Sequence, residues 1–246
     1  MSPNIPLRKT IEVCFTPSLF SLFEKENTIV VVIDVLRATS SICIAFANGV
    51  EHIIPLKTIE ESLAYRDKGY MIAGERNGET LEGFDCGNSP FSYTEEKVKG
   101  KKIAFTTTNG TQAIDAAKKH TVVIGSFLNL DVLCEWLIQQ DKNVICLCAG
   151  WQNKFNLEDT LFAGAVVDKL RQSEKFICNC DSSLAAEHLY SIAQSDMYGF
   201  LENSSHRKRL EQLKIEKDIA FCLTPNQTTV IPVLKGEILV NINGIL

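Results

Sequence analysis

At 246 residues, 45% apolar and 22% charged, the chain has the composition of one large globular domain or two small ones, which excludes disordered, collagen-like and coiled-coil classes. Twenty-five Lys and Arg against 30 Asp and Glu leave a net charge of −5, whereas nucleic-acid and acidic-membrane binders use a basic excess to replace counterions. The longest aliphatic run, Ile29 to Ile33, is far short of the about 20 residues that span a bilayer, and the N-terminal MSPNIPLRKTIEVCF lacks the apolar segment of a secretory leader. In chain order, TIVVVID (28–34) reads as a strand and ATSSICIAFANG (38–49) as a helix ended by Asn48-Gly49. EHIIPL is a strand, TIEESLAYRDKG a helix with a glycine stop, and YMIAG a strand. Residues 74–100 interrupt the rhythm with a long loop rich in Gly, Asn and Pro, of a length that is commonly functional. KKIAFTT, TVVIGS and NVICLCAG then read as strands, separated by the helices GTQAIDAAKKH and NLDVLCEWLIQQ and followed by the helix EDTLFAGAVVDKL. Continuous apolar strands alternating with helices predict an α/β fold, a mostly parallel sheet with helices on both faces.

After about residue 174 the pattern turns helical through SSLAAEHLYSIAQ and HRKRLEQLKIEKDIAFCL. It ends in TVIPVLKGEILVNI, a short terminal β-hairpin turning at Lys235-Gly236. We expect one domain over 1–246, with a change of pattern near 174–180. The apolar TVIPVLKGEILV suits an exposed edge or a contact between copies of a homo-oligomer. HRKR (206–209) reads as a solvated helix face. Nine cysteines without a leader indicate a reducing, cytoplasmic compartment. The pairs Cys146/Cys148 and Cys178/Cys180 lack the spacing of structural zinc knuckles. Cys148 lies in an apolar strand, where a buried thiol is a better reading than a nucleophile.

Ligands of open parallel sheets bind beyond the carboxyl ends of the strands. Asp34, Arg37 and Thr39 follow the first predicted strand, Glu75, Arg76 and Asn77 the third, and TTTNGT (106–111) the fourth. Cys148-Ala149-Gly150 closes a later strand, and Glu158 and Asp159 open the next helix. Carboxylates, arginines and hydroxyls therefore collect on one rim. The TTTNGT turn leads into a helix N-terminus and suits either an oxyanion or a simple cap by Thr108 or Asn109. Asp34 can ligate Mg²⁺, attack phosphorus or cap its helix. Glu158 and Asp159 can instead complete a capping arrangement on Asn156. Arg37 and Arg76 either clamp an anion or form exposed ion pairs. No P-loop, H-E-x-x-H or G-x-G-x-x-G occurs, no cysteine has an arginine six residues on, and Asp34-Val35-Leu36 is not D-x-D. The four histidines are scattered, with only His206 in a polar setting, which disfavours a histidine-centred mechanism.

Six blocks, VVIDVLRATSSI (31–42), GERNG (74–78), GFDCGNSP (83–90), TTTNGT (106–111), CAG (148–150) and LEDTLFAGA (157–165), together resemble the 2-phosphosulfolactate phosphatase family in order and spacing. The resemblance implies an α/β, Mg²⁺-dependent acid phosphatase that hydrolyses (2R)-2-phospho-3-sulfolactate to 3-sulfolactate and phosphate in coenzyme M biosynthesis. It marks Asp34, Arg37 and Thr39, then Glu75, Arg76 and Asn77, then Asn88 and Ser89. It also marks Thr107, Thr108, Asn109, Gly110 and Thr111, and finally Glu158 and Asp159. For such a polyanionic substrate we expect Asp34, with Glu158 or Asp159, to hold Mg²⁺, and Arg37 and Arg76 to take the sulfonate and carboxylate. Glu75 joins Asp34, Arg37 and Arg76 in the expected catalytic set. The threonine-rich turn, with Thr39, Asn77, Asn88 and Ser89, is expected to bind the substrate. A related 2-phospho-acid and a non-catalytic anion binder are the alternatives.

Overall fold

The computed structural model describes residues 8–213 and 215–242. Its first half runs β1 (Lys9–Cys14), β2 (Thr28–Ile33), α1 (Ala38–Ala47), β3 (His52–Leu56), α2 (Ile59–Leu63), β4 (Met71–Arg76) and β5 (Glu79–Thr80). There follow α3 (Glu95–Val98), β6 (Lys102–Thr106), α4 (Gly110–Ala117), β7 (Thr121–Gly125), α5 (Leu130–Gln139) and β8 (Asn143–Cys148). The remainder is α6 (Leu157–Gln172), β9 (Phe176–Ile177), α7 (Asp181–Ala193), α8 (Met197–Phe200), α9 (Ser205–Glu211), α10 (Glu216–Cys222), β10 (Pro232–Lys235) and β11 (Ile238–Asn241).

The alternation of strand and helix predicted from 28 to 170 is present, with three differences. The helix expected over 58–69 stops at Leu63 and gives way to a 3₁₀ turn, Arg66–Lys68, closed by Gly69 at φ +80°. The strand β1 has no predicted counterpart, because Lys9, Thr10 and Glu12 deny it the continuous apolar run that marks the other parallel strands. The loop at 74–100 contains β5, a 3₁₀ turn at Pro90–Ser92 and α3.

All eleven strands form one sheet in the order β5-β4-β6-β3-β11-β10-β7-β2-β8-β1-β9. Strands β4, β6 and β3 are mutually parallel, as are β7, β2, β8, β1 and β9. Along β2, Ile29, Val31 and Ile33 enter one core and Val30 and Val32 the other. That two-sided burial is what a continuous apolar strand requires. The first core is closed by α5, α6, α7 and the C-terminal helices, and the second by α1 and α4.

The C-terminal hairpin departs from expectation. It turns at Gly236-Glu237 and lies in the middle of the sheet, with β11 beside β3 and β10 beside β7. The expected exposed edge is thereby corrected, because both flanks are paired. Its three antiparallel joins set the two parallel groups in opposite senses. α4 nonetheless leaves β6 of one group to pack on β2 of the other, and its first residue, Gly110, lies against Asp34 beyond the carboxyl end of β2.

Helices α6 and α7 touch through backbone. A Cβ added at Gly164 would lie 2.1 Å from the carbonyl oxygen of Ala186. Gly164→Ala gains about 1 kcal/mol of helix propensity, but overpacking against a rigid carbonyl costs about 1–3 kcal/mol or more. We expect a net loss of about 2 kcal/mol and a thermal midpoint lowered by about 5 °C, measured by calorimetry. An unchanged midpoint would show that the two helices separate freely. No helix among the described residues is long and apolar enough to cross a membrane. All nine cysteines are free.

Candidate active site

The carboxyl ends of β2, β4, β6 and β8 deliver side chains to one cleft of about 120 Å³. Asp34, after β2, is 8% exposed, and its turn is self-braced: its N–H donates to Thr39 Oγ1 (3.1 Å) and its carbonyl accepts from Thr39 N–H (2.9 Å). Asp34 Oδ1 accepts from the Ala38 N–H at 3.4 Å, while no donor among the described residues reaches Oδ2. A Cβ at Gly110 would meet Asp34 Oδ2 at 2.9 Å and Ala38 Cβ at 2.8 Å, so glycine is what lets the TTTNGT turn close on this carboxylate.

Glu75, on β4, joins two of the loops. Its Oε1 accepts from the Thr108 N–H and its Oε2 from the Gly78 N–H, both at 2.7 Å. The intervening Asn77 and Gly78 are left-handed, at φ +57° and +88°. Arg37 is 4% exposed, paired with the buried Asp218 of α10 and bonded through Nη2 to the Gly78 carbonyl at 2.7 Å. Asp159 accepts from the Val35 N–H (2.8 Å), the Gly150 N–H (3.1 Å) and Asn156 Nδ2 (2.9 Å). Glu158 Oε1 accepts from Asn156 Nδ2 at 3.0 Å and pairs with His206 Nδ1 of α9, whereas Glu158 Oε2 is buried without a partner.

Burial pushes the Asp34 carboxyl up to about 8, reinforced by the charges of Asp159 and then Glu75. Burial and Glu158 push Asp159 up to about 7, although three N–H donors pull it down. For Glu158, burial is outweighed by the His206 charge and hydrogen bond and by Arg209, and the net shift is downward. Positive charge therefore compensates Glu158, whereas the Asp34 end of the cluster is crowded with acids. A cation fits there, beside an oxygen with no protein donor. Among the described residues no three His, Cys, Asp or Glu side chains stand together as a metal cage. A carboxylate with an oxygen free of protein donors is the kind of ligand used by an ion such as Mg²⁺, which takes one or two carboxylates and completes its shell with substrate oxygens and water.

The predicted residues divide into two groups. Asp34, Arg37, Glu75, Asn77, Asn88 and Asn109 line the cleft, and Glu158 and Asp159 stand behind it. Arg76 does not line it, since its guanidinium binds the Glu75 carbonyl (2.7 Å) and Thr106 Oγ1 (3.0 Å). Ser89 is also outside, at the start of a 3₁₀ turn. Thr107 and Thr111 bond to each other across the start of α4, with Thr107 Oγ1 accepting from the Thr111 N–H at 3.2 Å. Thr39 braces Asp34. Neither Asn109 nor Asn156 caps its helix through the side chain.

Sequence reasoning missed Trp151, His206, Arg209 and Asp218. The reading of HRKR as a solvated face is corrected. His206 and Arg207 are 8% and 6% exposed, and Arg209 lies over the Trp151 ring at 4.3 Å. The signal available was Trp151 directly after a strand end, together with the polar setting of His206. Cys148 is buried, and burial and then Asp159 hold its thiol well above the ordinary value, in keeping with the reading of a buried strand thiol. A larger groove of about 500 Å³, between α4 and the hairpin turn, holds none of the clustered site carboxylates, so size does not mark the site.

Residues 14–237 match the family model described as 2-phosphosulpholactate phosphatase. The chain is 43% identical over 210 residues to the probable 2-phosphosulfolactate phosphatase of Thermotoga petrophila, covering 85% of this chain and 90% of that protein. It is 41% identical over 215 residues to the protein so named from Caldanaerobacter subterraneus, covering 85% and 88%. The Clostridium acetobutylicum protein of the same name is 35% identical over 219 residues, covering 87% and 93%. The blocks that build the cleft lie inside the matched span, and the chain belongs to the 2-phosphosulpholactate phosphatase family.

Proposed function

We propose that the chain is a Mg²⁺-dependent phosphatase that hydrolyses (2R)-2-phospho-3-sulfolactate to 3-sulfolactate and phosphate, in a sequence of the coenzyme M type. The observation that carries this reading is Asp34, a buried carboxylate with a bare oxygen, lining a cleft whose residues lie inside the span that the family model matches. The names of the relatives support the substrate. When bound, Mg²⁺ supplies charge neutralisation at the phosphate oxygens and beside Asp34. Arg37, held rigid by Asp218 and the Gly78 carbonyl, steadies the phosphate. Glu75 fixes the GERNG and TTTNGT loops relative to each other and so sets the width of the cleft.

Asp34 Oδ2 attacks phosphorus. The bond from phosphorus to the substrate's 2-oxygen breaks, and that oxygen takes a proton from Nε2 of His206, the ring nitrogen not engaged by Glu158. Water then attacks the aspartyl-phosphate, giving a proton back to Nε2 of His206 as the bond between phosphorus and Asp34 breaks, which leaves inorganic phosphate and the Asp34 carboxylate. Direct attack by water, with a carboxylate as base, is the second route, and a quench experiment on Asp34 variants separates the two.

Phosphate release from phosphosulfolactate, phospholactate and 4-nitrophenyl phosphate, each with Mg²⁺ and with EDTA, tests the reading. We expect turnover with Mg²⁺, its loss in EDTA and at least about a 10-fold preference for the sulfonated substrate. A preference for phospholactate would keep the phosphatase and reject the sulfolactate role. No release by folded protein from any of the three would leave an anion-binding protein.

A further inference from the structure

Arg209 is unusual among the arginines of the site. Arg37 is committed to Asp218 and the Gly78 carbonyl, and Arg76 to Thr106 and the Glu75 carbonyl outside the cleft. Arg209 lines the cleft, yet its Nε and Nη2 are buried with no hydrogen-bond partner. Leaving donors of a charged group buried and unpaired is unfavourable by more than leaving a neutral one so. These two nitrogens form the edge of a guanidinium that grips a planar or tetrahedral oxyanion with two parallel N–H bonds. The group is also held in place, because its carbon sits 4.3 Å above the centre of the Trp151 ring. Trp151 follows β8 and stacks against His206 as well, with ring centroids 5.7 Å apart, so strand end, indole and α9 form one wall.

Resting on the function proposed above, we propose that Arg209 is the specificity residue that reads the second anionic group of the substrate, the sulfonate or the carboxylate, through its Nε–Nη2 edge. The phosphate belongs to the Asp34 side of the cleft. The Arg209 side is offered by α9, which also carries His206 and Leu210 to the same wall. The two nitrogens are shielded from water, so an anion bound on this side of the cleft meets donors that nothing else satisfies. A phosphate ester with no second anion leaves that edge unpaired and is selected against for that reason.

The test is the ratio of kcat/KM for phosphosulfolactate to kcat/KM for 4-nitrophenyl phosphate, measured with Mg²⁺ on wild type, Arg209→Met and Arg209→Lys. Both activities come from one preparation, so the ratio does not depend on the fraction folded. We expect the ratio to fall about 100-fold in Arg209→Met and about 10-fold in Arg209→Lys, because lysine keeps the charge but not the two-pronged edge. Substituting phospholactate, which lacks the sulfonate, tells which anion is read. If Arg209→Met still falls about 100-fold with it, the carboxylate is the group; if the fall disappears, the sulfonate is. An equal loss on all three substrates would overturn the proposal and place Arg209 with the phosphate or the fold, as would an unchanged ratio. If wild type hydrolyses none of them, the function proposed above fails, which is a different result from an unaltered ratio in an active enzyme.

Discussion

Asp34→Asn is expected to lower phosphate release by at least about 10⁴-fold while making the folded protein more stable at pH 8. The two effects have one origin. Burial first, and then the charges of Asp159 and Glu75, push the Asp34 carboxyl up to about 8 against about 3.9 in an unfolded chain. The folded state therefore holds this proton more tightly than the unfolded state. Its contribution to stability is complete below about pH 4 and is lost as the pH rises to about 8. Asp159, pushed up to about 7, acts in the same direction. In EDTA the wild-type thermal midpoint should thus fall across this window, and the asparagine variant should fall less, ending about 5 °C higher at pH 8. Mg²⁺ and the proton compete for the charge of the Asp34 carboxylate, so Mg²⁺ should raise the wild-type midpoint more at pH 8 than at pH 5 and leave the variant nearly unmoved. Acid quench of wild type with phosphate-labelled substrate should trap a phosphoenzyme that Asp34→Asn lacks. More than a hundredth of the activity remaining, or parallel pH profiles for the two proteins, would remove Asp34 from its role.

What could be read in the sequence was what is set locally. The strands β2, β6, β7 and β8 are continuous apolar runs, and the residues after them, Asp34, Asn109 and Gly150, follow directly from chain order. Glu75 shows the boundary of that method. Its position on a strand end was legible, but its bonds to the Thr108 and Gly78 N–H groups couple two loops that no local pattern relates. His206 and Arg209 were misread because charged runs on short helices normally face water. Here the imidazole is claimed by Glu158 and the guanidinium by an indole face, and both partners lie roughly fifty residues or more away in sequence. The hairpin was misplaced for a related reason. Alternation in PVLK and ILVN specifies strands, but not that β3 and β7 leave a gap between them for two more.

The Arg37–Asp218 pair carries the second large effect, and it separates stability from function. Both side chains are nearly inaccessible, at 4% and 6%, and they tie the first turn of α1 to α10 across most of the chain. Arg37→Met strands the Asp218 carboxylate in a dry site, which should cost about 3–5 kcal/mol and lower the thermal midpoint by about 10 °C. The destabilisation comes from the orphaned charge more than from the lost attraction, since desolvating the pair already consumed much of what it returned. Adding Asp218→Leu to Arg37→Met should therefore recover most of the midpoint, with two apolar chains filling the space. Activity should not return with it. Arg37 lines the cleft beside Asp34 and holds the Gly78 carbonyl, and the double variant supplies neither a cation for phosphate nor an anchor for the GERNG loop. If instead the double variant is as unstable as the single one, packing of the arginine stem rather than the stranded charge governs this contact. If it regains turnover, Arg37 is a strut of the fold and the phosphate is held by other groups.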